Sequence, residues 1–339
     1  MALEKTLKVL EAVAVKAVID AVQQEAARKA DEKRIYGSIE KHALYNAGEQ
    51  AVDKLTALVN KFQSLHKTCG TQWDWFEVQS RKTPLEPENN HSHEREAETN
   101  RRQYKPSFKD KLFLRIQSKR KILDELVENS KRKDQTEYDN AMTRYKEENE
   151  QWSKLNTLSK RVLAAEGQAY MDAVRELNIM HNLEGVCKSC EVRLYKNNAI
   201  EVIFEAFGLE IVPKEKMKLL RSGKISFRDM PKGEYYEMYR DYVCSVTLRI
   251  AREFLAVLPI DIIIVTAMAE LLNTSTGQIQ QEPILSAAIA RDTLKKINFE
   301  LVRPSDCFSN FVHNMNFKRL SGFAGTTRLE FGRFANCPK

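Results

Sequence analysis

The sequence predicts an α+β fold: a helix-rich N-terminal region of coiled-coil or helical-hairpin type, then a C-terminal domain of antiparallel β-hairpins packed on a long helix. Three observations predict it. Leu44, Ala51, Leu58 and Leu65 recur every seven residues, which is the spacing of a helical seam. Val192, Leu194, Ile200, Val202 and Phe204 alternate with polar or charged residues, the period of a half-buried strand. Ile260, Ile262, Ile263, Ile264 and Val265 form a dense β-branched run that suits a strand buried on both faces.

In chain order, Leu3, Leu7, Leu10, Ala17 and Ala21 recur at three- and four-residue steps and predict an amphipathic helix to about Arg34. The chain is expected to begin in this helix, with no leader before it; Ala2–Leu10 mixes Glu and Lys with Leu and is no secretory signal. Gly37 and Ser38 mark a break. A second helix follows to about His66, with Gly48, Leu55 and Phe62 filling the intermediate seam positions. Residues 1–82 are thus a helical pair, folded back on itself or paired with another subunit. Pro84–Arg102 is polar and charged, so 83–106 is expected to be an exposed linker; for His91 and His93 the alternatives are adventitious metal binding and a solvated loop, and the solvated loop is the preferred reading.

A helix resumes at Ser107. Tyr138, Tyr145, Trp152 and Ser159 repeat every seven residues, with Leu155 and Val162 between. A break is expected around Asn129–Asp134, making 107–183 a long antiparallel coiled-coil hairpin; one continuous helix is the alternative. Gly167 interrupts a further helix, Ala169–Met180. The composition changes at Gly185, and 184–339 is expected to be the α+β domain. Its first hairpin turns at Lys196-Asn197-Asn198. Pro213 starts a short helix. A long amphipathic helix runs from Gly233 to Val257, carrying Tyr235, Tyr239, Val243, Val246, Ile250 and Phe254. The Ile-rich strand comes next, then a turn at Asn273–Gly277 and a second strand bearing Ile284, Leu285, Ala287, Ala288 and Ile289. Asp292 is the expected N-cap of a short helix. Another short helix spans Ser305–Phe311, and loops complete the chain.

Of the 339 residues, 30% are charged and 42% hydrophobic, the balance of a soluble helix-rich protein. The net charge of +7, from 54 Lys and Arg against 47 Asp and Glu, permits a nucleic-acid or acidic partner without demanding one. The apolar stretch Val9–Val22 contains Lys16 and Asp20, so no membrane span and no membrane partner are expected. Six cysteines without an export signal read as reduced thiols in a cytoplasm.

No phosphate loop, dinucleotide fingerprint, HExxH, GxSxG or kinase set occurs in the chain. Asp261 and Glu282 lie on successive strands, as acids do in metal-dependent nucleases. Such sites usually place a Lys two residues after the second acid, and Ile284 stands there, so a structural role is the preferred reading. Cys187 and Cys190 form a CxxC motif. It supplies two of the four ligands of a structural zinc, and His66 and Cys69 repeat its spacing and would complete the set. A thioredoxin-type role needs the motif at a helix N-terminus; here it precedes a strand, and two packed thiols are the simpler reading. No cofactor is predicted, zinc being the one metal the spacing admits. Lys119, Arg120 and Lys121, with Lys131, Arg132 and Lys133, form two basic runs that would contact nucleic acid or simply line a solvated helix face. Cys307 and His313 are six residues apart, with nothing further to mark a catalytic pair.

Two stretches carry a resemblance: LHKTCGTQWDWFEV at 65–78, and MPKGEYYEMYRDYVCSVTLRIAREFLAVLPIDIIIVTA at 230–267, continuing through LNTSTG, ILSAAIARDTL and INFELVRPSDCFSNFVHNMNFKRLSGF. The chain resembles a family of uncharacterised bacterial proteins in which a coiled-coil and α+β region often follows a small N-terminal domain. The resemblance implies a bacterial cytoplasmic setting and this domain layout, and brings no catalytic residues. The leading expectation is a non-enzymatic interaction or scaffold protein that pairs with itself or another protein through its helices. The alternatives are a nuclease-like enzyme, of the kind used in phage defence, and a nucleic-acid-binding module using the basic runs.

Overall fold

The computed structural model describes residues 37–108, 114–195, 199–220, 224–273 and 275–333. The helix expected before Gly37 and the Lys196-Asn197-Asn198 turn lie outside the described residues. In chain order the described helices are α1 (Gly37–Gln63), α2 (Trp75–Ser80), α3 (Ser92–Gln103), α4 (Ile116–Leu163), α5 (Gly167–Glu176), α6 (Ile179–Asn182), α7 (Lys232–Val257), α8 (Arg291–Lys295) and α9 (Pro304–Cys307). The strands are β1 (Ser189–Leu194), β2 (Ile200–Glu205), β3 (Glu215–Leu219), β4 (Ile225–Asp229), β5 (Ile262–Asn273), β6 (Gln278–Ala290), β7 (Val312–Lys318) and β8 (Gly322–Ala324). The chain divides into two compact units. One is Asp74–Leu163, and the other combines the described residues before Asp74 with those from Ala164 on.

In the helical unit, α4 is a single helix of 48 residues, about 72 Å long at 1.5 Å per residue. The break expected at Asn129–Asp134 does not occur, and 107–183 is not a helical hairpin. Ile116–Leu163 contains neither Gly nor Pro. Asp134 also gives its carboxylate to backbone N–H groups of another helix, so it does not compete for its own backbone. The segment that runs antiparallel to α4 lies earlier in the chain. The Asn156 amide donates to the Gln79 carbonyl (3.0 Å) and the Trp152 indole to that of Arg81 (2.9 Å), while Arg101 pairs with Asp124 (2.7 Å). Residues 83–106 are therefore not a bare linker, because they carry α3. Asp74 caps α2 by accepting from the N–H groups of Phe76 (2.9 Å) and Glu77 (3.2 Å), which seats the buried Trp75 and Val78.

In the other unit, β1 with β2 and β5 with β6 are the two antiparallel hairpins that the alternation predicts. They are not independent. β2 pairs parallel to β5, from Ile200 opposite Ile263 to Glu205 opposite Met268, giving one mixed sheet of order β1-β2-β5-β6-β7-β8. The antiparallel-only expectation fails because residue alternation fixes which face a side chain takes, not which distant strand lies beside it. Pro213 leads into β3, not a helix, and β3 pairs with β4 as a separate two-stranded sheet. The loops expected near the end hold β7 and β8.

The register puts Ile200, Val202 and Phe204 of β2, Ile263, Val265 and Ala267 of β5, and Leu285, Ala287 and Ile289 of β6 on one face, all buried. α7 packs against β5 and is buried along most of its length. Tyr235, Tyr239 and Tyr242 lie along one side of it and reach the segments before β1 and after β2. Their hydroxyls donate to the carbonyls of Leu209 (2.8 Å), Phe207 (2.9 Å) and Val186 (2.9 Å), so each buried phenol keeps a partner. α1 packs on α7 and β3, with the Phe62 ring edge-on to Tyr242 at 5.8 Å. Among the described residues no helix is long and apolar enough to cross a membrane.

Candidate functional site

Asp261 and Glu282 do not meet. In a hairpin, residues face each other when they are equally far from the turn. Glu282 pairs with Ala269, whereas Asp261 precedes Ile262, the partner of Ala290. Eight residues of strand separate them, about 26 Å at 3.3 Å per residue. Asp261 is exposed before the strand begins, and its carbonyl accepts from the Arg291 N–H (2.8 Å). The two acids form no joint metal or acid–base site.

The proposed zinc set is also not assembled: the ligand atoms of His66, Cys69, Cys187 and Cys190 do not gather within metal-binding distance. Burial pushes the Cys187 thiol well up and the Cys190 thiol up to about 12, so both keep their protons at neutral pH and neither is a ready nucleophile. His66 is buried instead in a belt along α7. Its backbone N–H donates to the Ser245 hydroxyl (2.9 Å) and its Nδ1 lies 2.9 Å from the same oxygen. Further along, the N–H of Gly70 donates to the buried carboxylate of Glu253 (2.8 Å) and that of Trp73 to the Ala256 carbonyl (2.9 Å). Arg249 completes the Glu253 pairing at 2.6 Å, and a Cβ at Gly70 would meet that carboxylate at 2.5 Å. The conspicuous stretch beginning at Leu65 is thus fastened, through residue 73, to the conspicuous stretch that forms α7. Burial pushes the His66 imidazole below its ordinary pKa, against a weaker upward pull from the Val302 carbonyl.

Opposite the α7 side, the sheet carries Glu201, Ile264, Thr266, Ser286 and Ala288, all buried or nearly so. Residues 326–331 cross this face. Thr326 N–H donates to the Pro283 carbonyl (2.8 Å) and Leu329 N–H to the Ser286 hydroxyl (3.0 Å). Leu329 and Phe331 pack with Ile264 and Ala288. Arg328 reaches both Glu201 oxygens at 2.7 Å, Tyr195 donates to Glu201 (2.6 Å), and Thr266 donates to it (3.2 Å) while bonding Ser286 (2.9 Å). The Glu201 hydrogen bond, with burial, pushes the Tyr195 phenol up. Sequence alternation places Glu201 on the polar side of its hairpin; only the parallel β5 and the returning tail bury it. Arg328 and Leu329 both bind the sheet from the crossing segment, so the network forms a latch that holds that segment on this face.

The helical unit holds the basic runs. Lys131 pairs with Glu128 (3.0 Å) and approaches Glu94 (3.8 Å), and Lys133 approaches Glu137 (3.9 Å). Lys121 and Arg132 line the same concavity as Asp124, Glu125 and Glu128. These cations sit among acids, so they make no continuous basic track. The same helix shows a different surface. Ile122 and Leu126 are 53% and 50% exposed on adjacent turns, where residues four apart share a face. Phe108 and Leu114, just before α4, are exposed as well.

His91 and His93, expected to be solvated, stand where α3 meets α4. Asp134, 5% exposed, accepts from the N–H groups of His93 (3.1 Å) and Glu94 (2.8 Å). His91 Nδ1 lies 3.0 Å from Glu94 and His93 Nε2 3.3 Å from Glu137. No spacing rule could have found this junction, since its residues come from segments about forty positions apart.

No family model, curated protein or solved structure matches the chain.

Proposed function

We propose that the chain is a non-enzymatic interaction protein that self-associates through its helical unit. One observation carries the reading: Ile122 and Leu126 lie exposed on adjacent turns of α4, with Phe108 and Leu114 exposed close by in the sequence. Large apolar side chains grouped in water mark a surface that a partner covers. The resemblance of residues 65–78 and 230–323 to bacterial proteins supports a bacterial cytoplasmic setting. Neither the separated Asp261 and Glu282 nor the acid-paired Lys131 and Lys133 supports the nuclease or nucleic-acid-binding reading.

The test is to capture the untagged chain on an immobilised tagged copy, in nuclease-treated and untreated halves. Retention in both halves is expected. Retention only in the untreated half would make nucleic acid the bridge, and no retention in either would remove self-association.

A further inference from the structure

The docking of α3 on α4 lacks an evident source of free energy. α3 reads SHEREAETNRRQ and has no buried residue. A twelve-residue helix is marginal on its own, and exposed ion pairs add little. Yet α3 lies along α4; apart from the half-exposed Arg101–Asp124 pair at its last turn, the groups that bring it there converge on its first turn. Asp134 and Glu137 project from α4 three residues apart, on one face. His93 comes from α3, and its backbone N–H is fixed on Asp134 at 3.1 Å. Ligand atoms of His93, Asp134 and Glu137 all lie within 4.8 Å of one another, and the His93 Nε2 to Glu137 oxygen distance is 3.3 Å.

We propose that His93, Asp134 and Glu137 bind one divalent transition ion of the zinc class, which staples α3 to α4. One imidazole and two carboxylates are an N/O donor set suited to such ions. Metal–ligand bonds of about 2.1 Å in a tetrahedron place ligands about 3.4 Å apart, close to the separation of His93 and Glu137. The two carboxylates balance the ion's charge. Each Asp134 oxygen accepts one amide N–H and keeps a further lone pair. The imidazole binds through Nε2, and the coordination leaves a position for water. A second set, His91, Glu94 and Asp134, shares the aspartate; a lysine stands near the glutamate in both sets, Lys131 at 3.8 Å from Glu94 and Lys133 at 3.9 Å from Glu137, and the second set is the poorer site because His91 is more exposed than His93. This inference stands independently of self-association.

The test uses the full chain without a histidine tag, titrated with Co2+ and then Zn2+ alone. We expect one ion per chain, with cobalt visible bands but no near-ultraviolet thiolate charge-transfer band. Zinc should slow amide exchange across α3. His93→Ala and Glu137→Gln should each weaken binding by about tenfold or more, and His91→Ala should change it little. Both side chains are partly exposed, and Glu137→Gln keeps the shape, so folding is not at stake. No binding at micromolar metal, a thiolate band that puts the ion on cysteine, or loss in His91→Ala with His93→Ala intact would each overturn the proposal.

Discussion

At the scale of single residues, two buried groups dominate. Glu201 is held by Arg328, Tyr195 and Thr266 on a sheet face closed by residues 326–331. Removing one partner of a buried pair leaves a charge without compensation. Arg328→Ala is therefore predicted to cost about 3 kcal/mol, the low end of such losses because Arg328 is partly exposed. Glu201→Gln with Arg328→Met should recover much of it. Urea midpoints of the two variants check this, and a single-variant loss within about 0.5 kcal/mol would mean an ordinary surface pair. His66 gives a pH test. Burial lowers its folded pKa below the ordinary 6.5, so the unfolded chain binds the proton more readily. The associated stability is full above about pH 6.5 and falls as pH drops through the folded pKa. Resistance of the native chain to denaturation should weaken over that acidic window, and His66→Gln should flatten the dependence. An unchanged slope in the variant would assign the effect to another group.

At the scale of elements, local pattern was a good guide and pairing a poor one. Alternation from Val192 to Phe204 marks two strands as read, the Ile run is a strand from Ile262 with Ile260 left before it, and Lys232–Val257 is the long helix. The parallel joining of β2 to β5 was hidden, because no residue in either strand encodes a neighbour sixty positions away. The Asp261 and Glu282 pair failed for a legible reason, since counting from the turn at Asn273–Gly277 already puts them out of register. Asn129–Asp134 looked like a break from its polar residues, and the role of Asp134 at α3 could not be read from its own segment. Labels at Gln117 and Thr157 test the outcome. A continuous α4 places them about 60 Å apart, whereas a hairpin turning near residue 131 would bring them to about 20 Å. Distance measurement by site-specific labels decides between these.

At the scale of the whole molecule, the His66 belt, the α7 tyrosines and the Glu201 latch of the sheet unit tie polar groups to protein partners, although His66 Nε2 and Arg249 Nη1 stay buried without one. Both units leave large apolar side chains in water: Ile122 and Leu126 on α4 in the helical unit, and the cross-strand pair Leu272 and Ile279 in the sheet unit. The heptad spacings raise an expectation of paired helices, but they do not say which side chains remain uncovered. Sedimentation velocity of the full chain, run over a concentration series beside an Ile122→Asp, Leu126→Asp variant, tests the account most directly. The account predicts assembly beyond the monomer that grows with concentration in the native chain and is lost in the folded variant. A native chain that stays monomeric throughout, or a variant that assembles as well as the native chain, would contradict it.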